Sequence, residues 1–227
     1  MSSSLPESWS QPPRRLFGWS GAAAVLLYLA ACGGQDAALM APGHFEGKVF
    51  IHEGLGLRIP FPSDWTILSE EQQEREAEAG RRFLSQGDPT GSAYRQNGPS
   101  TSLTLFAVYQ NPPGTTPGVN PHLNGAVENV LMRPQIQTPV DYLEMLMGFL
   151  QRGGAPMTFE PIVPEVLVGG KVFAVMAVTV QNGLDRMGQI YYCRRFGDTI
   201  LTLVATFATP DQWSQLEGII QSIEFSA

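Results

Sequence analysis

The alternation of hydrophobic and polar residues predicts a chain built mainly from short strands. Proline at positions 60 and 62 ends one such strand in a turn, because proline cannot extend a sheet. The pairs Gly169-Gly170 and Gly197-Asp198 each separate two strand-like runs, which is the pattern of a β-hairpin. Strands are therefore predicted at 48–51, 55–59 and 102–109, and in hairpins over 161–180 and 187–207.

Three further segments predict helices, each with a capping residue at its start. The first, 69–83, begins with the capping residue Ser69 and is highly charged, so we expect it on the surface. The middle helix starts at Thr138-Pro139 and ends near Gly153. The last starts at Thr209. Successive hairpins without alternating βαβ units predict an α+β fold, with an antiparallel sheet and helices packed against it.

The N-terminal 31 residues predict a signal peptide. Arg14 and Arg15 precede an apolar stretch, 21–31, which would rise only about 16 Å as a helix and is too short to span a bilayer. The order of a basic segment, an apolar segment and small residues is typical of export signals. The general route and the twin-arginine route both fit this segment.

Cys32 follows directly, in the sequence Leu-Ala-Ala-Cys, which resembles a bacterial lipobox. The resemblance implies cleavage between Ala31 and Cys32 and attachment of a diacylglycerol group to the Cys32 thiol. The sequence contains two cysteines, so a lipidated Cys32 leaves Cys193 without a partner in the chain. We expect Cys193 to be a buried, unreactive thiol.

The domain organisation follows from this N-terminal segment. Residues 1–31 are predicted to be the lipoprotein signal peptide, 32–47 a flexible tether of small residues, and 48–227 a single domain. The protein would then be anchored by lipid in the bacterial cell envelope, facing the periplasm. The residue after Cys32 is Gly33 and not the aspartate that retains lipoproteins at the inner membrane. Resemblance to known lipoproteins therefore favours the outer membrane in a Gram-negative cell.

Composition restricts the partners. The net charge of −7 opposes binding to nucleic acid, and it opposes electrostatic adsorption of the whole chain to an anionic membrane. We therefore expect no nucleic-acid partner, and a membrane contact made through the N-terminal lipid.

The domain resembles the PsbP-like superfamily, which includes PsbP, Mog-type proteins and DcrB-like bacterial envelope lipoproteins. The resemblance rests on the strand and turn ending at Trp65, the middle helix, the Gly169-Gly170 hairpin and the segment 198–225. It implies an α/β/α sandwich around an antiparallel sheet, and a role in binding or assembly without catalysis.

No catalytic or metal-binding motif is evident in the sequence. His44, Glu46, His52 and Glu53 offer nitrogen and oxygen ligands, but their spacing fits no compact metal site. His122, Asp141 and a serine could form a hydrolase set, but the sequence contains no Gly-x-Ser-x-Gly nucleophile elbow. No phosphate-binding glycine loop occurs either. We expect no catalytic residue, no metal and no cofactor, and a protein that is not an enzyme.

The middle helix carries apolar residues around most of its circumference, whereas a surface helix keeps a polar face. One interpretation is burial on both sides, beneath the loop 110–121. The other is a methionine-rich groove that adapts to an apolar partner. The candidate binding residues are Trp65, Tyr142, Met145, Leu146, Met147 and Phe149.

Two functions follow from these candidates. The first is a lipid-anchored, non-enzymatic module that binds another envelope or secreted protein. The second is a carrier or sensor of a small apolar ligand, held in a sandwich cavity between Trp65 and the middle helix.

Overall fold

The computed structural model describes residues 38–85, 102–152, 156–182 and 185–226. The predicted signal peptide, its cleavage site at Ala31 and Cys32, and tether residues 32–37 lie outside the described residues. The helices are α1 (Glu70–Ser85), α2 (Pro139–Arg152) and α3 (Pro210–Gln221). The strands are β1 (His44–Glu46), β2 (Val49–His52), β3 (Leu57–Pro60), β4 (Thr66–Ile67), β5 (Ser102–Tyr109), β6 (His122–Asn129), β7 (Met157–Phe159), β8 (Val163–Val168), β9 (Lys171–Asn182), β10 (Asp185–Phe196), β11 (Thr199–Phe207) and β12 (Glu224–Phe225).

The strands form two antiparallel sheets. The small sheet has the order β1-β2-β3-β12, and the large sheet has the order β4-β5-β6-β11-β10-β9-β7. The long strand β9 also pairs with β8, beside the section that pairs with β7. The predicted α+β class and antiparallel sheet are confirmed. The β8–β9 and β10–β11 hairpins form where the glycine turns predicted them, and Gly169, Gly170 and Gly197 have the positive φ angles that such turns require.

The large sheet separates two apolar cores, because successive side chains of a strand point to opposite faces. On β11, Leu201 and Leu203 face the small sheet and α3, whereas Ile200 and Val204 face α2. Trp213 and Leu216 of α3 belong to the first core. The molecule is therefore layered, with α2 on one face of the large sheet and the small sheet together with α3 on the other.

All three helices begin with a capping hydrogen bond, and the capping pairs of α1 and α2 are reciprocal. Ser69 and Gln72 exchange backbone-to-side-chain hydrogen bonds at the start of α1. Thr138 and Asp141 do the same at α2. At α3, Thr209 accepts the Gln212 amide N–H. Each pair satisfies amide groups that the first helical turn leaves without partners, which explains why the predicted starts are confirmed.

Two elements differ from the sequence-based expectation. Residues 44–46, placed in the predicted tether, form β1 and pair with β2. Residues 122–129 form β6, a fully paired inner strand between β5 and β11, although their pattern did not predict a strand. Within the described residues, no helix has the length and hydrophobicity needed to cross a bilayer.

Candidate ligand-binding site

The residues predicted to bind a partner do not share one site. Trp65 is buried in the core between the large sheet and the small sheet, and only 2% of it is exposed. Tyr142 and Leu146 of α2 are buried in the core on the opposite face. The large sheet lies between Trp65 and α2, so these residues do not form the two walls of one cavity, as the carrier hypothesis had supposed.

The α2 side chains pack largely inward. Met145, Met147 and Phe149 are half-buried and contact the same core as Tyr142 and Leu146. Val119, from the loop 110–121, belongs to this core too. The arrangement fits the interpretation of α2 as a helix buried on both sides better than that of an open groove.

A cavity of about 440 Å³ opens instead between β1, the start of α1 and β5. Its volume is within the range of small-molecule sites, roughly 300–1,000 Å³. Its apolar lining comes from Phe45, Phe50, Ile67, Leu68, Leu103 and Leu105. These residues are distant in the sequence and meet only because the small sheet packs across β5.

The floor of the cavity is an aromatic cluster. The rings of Phe45 and Phe50 lie 5.2 Å apart, and Phe106 lies 4.7 Å from Phe50 behind the lining. Gly125 on β6 allows this packing, since a Cβ atom there would come within 2.3 Å of the Phe106 ring. A β-bulge between Thr104 and Phe106 then leaves Leu105 as an extra residue among those that line the cavity.

The mouth of the cavity is polar and mostly acidic. Glu70, Gln73 and Glu74 line it from the first turns of α1. His44 lies across from them on β1, 3.5 Å from the carboxylate of Glu53. An apolar interior with a few polar groups at its mouth is the usual composition of a pocket for a small amphipathic molecule.

The structure also contains a buried ionic network that the sequence did not reveal. Glu128 on β6 lies beneath α2, where the Tyr142 hydroxyl donates a 2.8 Å hydrogen bond to its carboxylate. The Arg133 guanidinium lies 2.9 Å from the other carboxylate oxygen. Burial raises the pKa of Glu128 to about 7, and the charge of Arg133 opposes that rise. Glu128 is only 2% exposed, so its titration affects folding rather than an open site.

His122 occupies a second buried polar position. Its ring stacks on Tyr109 with centroids 4.2 Å apart, and its Nδ1 donates to the Asn120 carbonyl at 2.8 Å. Burial lowers the pKa of His122 to about 4. Asp141, which the sequence offered as a hydrolase partner for this histidine, instead accepts the amide N–H groups of Gln137 and Thr138. His122 and Asp141 therefore have structural roles.

The thiol of Cys193 and the ring of His52 are also buried. Cys193 is fully buried, and burial raises its pKa to about 12, as expected for an unreactive thiol. His52 accepts the Leu55 amide N–H through Nδ1, and its Nε2 donates to the Ala41 carbonyl. Its two ring nitrogens are thus unavailable to a metal. Over the described parts of the chain, no group of three or more acidic, histidine or cysteine side chains is arranged to hold a metal ion.

The chain is similar to several solved structures, with low sequence identity and low TM-scores. No protein-family model and no curated protein matches it. It is similar to PA94 of Pseudomonas aeruginosa, a protein of unknown function, with 10% identity, a TM-score of 0.37, and coverage of 53% of this chain and 78% of that one. It is also similar to a protein of Bacteroides thetaiotaomicron, with 14% identity and a TM-score of 0.40, over 81% of this chain and 50% of that one.

A third solved structure is LpqN of Mycobacterium tuberculosis, described as involved in cell envelope biogenesis. The identity is 12% and the TM-score 0.42, over 75% of this chain and 83% of that one. TM-scores below 0.5 at these identities establish neither a family nor a function.

Proposed function

We propose that this protein is a lipid-anchored, non-enzymatic binding protein of the bacterial cell envelope, and that it holds a small, largely apolar ligand in the cavity between β1, α1 and β5. The observation that carries the proposal is the cavity itself. It has the volume of a ligand site, an aromatic floor and a polar mouth.

Anchoring is supported by the N-terminal sequence. A basic segment, a short apolar segment and Leu-Ala-Ala-Cys occur in the order that bacterial lipoproteins use. β1 begins 12 residues after Cys32, so at most about 40 Å of chain separates the lipid from the cavity wall. A ligand taken from or delivered to the membrane would thus have a short path.

The domain itself we propose to be a PsbP-like sandwich. The layered antiparallel sheet with a helix on each face supports this. Binding of an envelope or secreted protein through α2, the other function expected from the sequence, stays a prediction. The half-buried positions of Met145 and Met147 favour it less than the cavity favours a small ligand.

The first test is binding of a neutral fluorescent probe, N-phenyl-1-naphthylamine, to the purified lipidated protein in detergent. Leu103 and Ile67 are half-buried cavity residues, and a tryptophan at either position would occupy the space of the ligand. We expect saturable binding that weakens by about tenfold or more in Leu103→Trp and Ile67→Trp.

The matched control is Val163→Trp, an equally bulky change at an exposed position on β8 outside the cavity. It should bind the probe like the wild type. Melting temperatures of all variants distinguish an obstructed cavity from an unfolded domain. Equal binding by the wild type and by two folded cavity variants would rule out the cavity as the ligand site.

A further inference from the structure

Five large apolar side chains are exposed in the described part of the chain, namely Leu131, Met132, Val163, Leu167 and Val172, and Leu167 and Met132 are 73% and 65% exposed. Val163 lies at the start of β8, whereas the other four lie near one end of the large sheet. Leu131 and Met132 follow the last residue of β6, and Leu167 and Val172 flank the β8–β9 turn. Single exposed apolar residues need no explanation, but a group at one place indicates a contact surface.

Strand register places these residues at one end of the large sheet. Asn129, the last residue of β6, pairs with Thr199 at the start of β11, and Thr199 pairs with Phe196 at the end of β10. The start of β9 lies beside this end of β10, because the Arg194 guanidinium donates a 2.7 Å hydrogen bond to the Val172 carbonyl. We call this surface the entry end, and define it as residues 130–133, 167–172 and 194–198.

The entry end extends over about 20 Å, since four strand spacings of about 4.8 Å separate β6 from β8. Leu167 pairs with Val172. Alternate residues of a strand share a face, so Val172 lies on the same face of β9 as Ala174 and Met176, which pack against α2. Leu167 and Val172 therefore both lie on the face of the sheet that carries α2. Arg133, next to Met132, contacts Met145 of α2, so Met132 is adjacent to the same face. The apolar residues therefore lie toward a common side.

The chain enters the described fold at this end. Ala38 packs so closely on Gly54 that a Cβ atom there would lie 2.1 Å from the Ala38 carbonyl oxygen. Two residues later, the Gly56 carbonyl accepts the Ser226 amide N–H at 2.7 Å. Phe225, next to Ser226, has its ring 6.1 Å from that of Phe196 at the end of β10. Residue 38 is thus connected to the entry end through consecutive contacts.

The charge of the entry end differs from that of the whole chain, which is −7. Arg133, Lys171, Arg194 and Arg195 belong to it. Two of these arginines form ion pairs, Arg133 with the buried Glu128 and Arg195 with Asp198. The nearby Glu165 of β8 adds one exposed negative charge. The glutamates of α1 lie elsewhere, so the unpaired charges here are those of Lys171 and Arg194 against Glu165, and this end carries one excess positive charge within an acidic protein.

We infer that the entry end is a membrane-contacting surface, with Leu131, Met132, Leu167 and Val172 in the interfacial region of the bilayer. Lys171 and Arg194 would then lie among anionic phospholipid headgroups. This inference rests on the proposed lipid anchor. Six residue steps from Cys32 to Ala38 span at most about 22 Å, whereas a domain of this length is about 40 Å across. The anchor therefore keeps this end, rather than the opposite one, close to the membrane.

The test places an environment-sensitive fluorophore, nitrobenzoxadiazole, at Met132→Cys or Leu167→Cys in the full-length lipidated protein. Cys193 is fully buried and stays unlabelled, and the thiol of Cys32 is blocked by its lipid. The matched control is Gln215→Cys, exposed on α3 and paired with Gln110 beyond the other end of β5. Each protein is reconstituted into vesicles of phosphatidylethanolamine and phosphatidylglycerol, and flotation of the vesicles reports anchoring.

We expect a several-fold rise in emission, with quenching by doxyl-labelled lipid, at positions 132 and 167 and no such change at 215. Lys171→Glu should reduce the rise without releasing the protein from the vesicles. Flotation without a change at 132 and 167 would overturn the membrane contact and leave the lipid anchor intact. Loss of flotation would overturn the anchor and the inference together. Equal signals at all three positions, or signals that need an added protein, would also overturn it.

Discussion

Glu128 shows at the scale of a single residue how the fold changes side-chain chemistry. Two effects oppose each other, because burial favours the protonated acid while Arg133, 2.9 Å away, favours the carboxylate. A folded-state pKa of about 7, against 4.5 for the free acid, means that burial has the larger effect. The folded protein then binds this proton more tightly than the unfolded chain does.

The free energy of unfolding should therefore decrease as the pH rises from about 4.5 to 7, because the unfolded chain releases the Glu128 proton at a lower pH than the folded protein does. The variant Glu128→Gln cannot titrate there, so the wild type should lose stability relative to it, on the order of 3 kcal/mol between pH 4.5 and 8. Urea unfolding at several pH values measures the difference. A wild type that gains stability relative to Glu128→Gln as the pH rises would show that the Arg133 ion pair outweighs burial.

His122 gives the opposite dependence. Its pKa falls from 6.5 to about 4 in the folded state, so the folded protein resists protonation of this ring. The stability that His122 contributes is present above pH 6.5 and is lost as the pH falls toward 4. In His122→Gln this loss should be absent, and the wild type should lose on the order of 3 kcal/mol relative to the variant between pH 7 and 4. If the free energies of unfolding of the two proteins changed equally between pH 7 and 4, the low pKa assigned to His122 would be wrong.

Helix α2 tests the fold at the scale of an element. Leu146 is 2% exposed and packs against the large sheet, whereas Glu144, two residues earlier and on nearly the opposite side of the helix, faces solvent. Leu146→Ala should lower the free energy of unfolding by about 2–5 kcal/mol, because it leaves a cavity in the core.

Glu144→Ala is the control in the same helix and should change the stability by no more than about 0.5 kcal/mol. Thermal melts of both variants compare them directly. Small effects in both would mean that α2 is loosely docked, and would restore the interpretation of its apolar residues as an open binding surface.

Local elements were predictable because their signals are local. A capping residue at Ser69, Thr138 or Thr209 marks a helix start by its own hydrogen bonds, and paired glycines mark a hairpin turn. Strand β6 escaped prediction for a physical reason. Its buried polar residues His122, Asn124 and Glu128 interrupt the apolar pattern of an inner strand. The stacking of His122 on Tyr109 and the hydrogen bond between Glu128 and Tyr142 form only in the tertiary structure.

The cavity could not be predicted either, since it depends on contacts between distant segments. Phe45 comes from a segment that its small residues marked as a tether, and Leu103 comes from a strand 58 positions later. Trp65 was predicted to be one wall of a sandwich cavity, and its burial depends on how the small sheet packs on the large one. Residue types indicate which side chains are apolar, and tertiary packing decides which of them line an open space.

At the scale of the whole molecule, the proposed lipid anchor is followed by the entry end and by β1, which forms one wall of the cavity. Removing the anchor tests the first of these. Cys32→Ala should leave the protein unlipidated, so that it loses the diacylglycerol mass and no longer cofractionates with membranes after a carbonate wash. Undiminished membrane association of this variant would contradict the lipoprotein assignment.

The most direct test of the central claim is native mass spectrometry of the lipidated protein, extracted from its own membranes in mild detergent. We expect a species heavier than the lipidated chain by one small apolar molecule, and loss of that molecule in Leu103→Trp but not in Val163→Trp. A wild-type protein found only at the mass of the lipidated chain, with no molecule retained under conditions that keep the domain folded, would contradict the central claim.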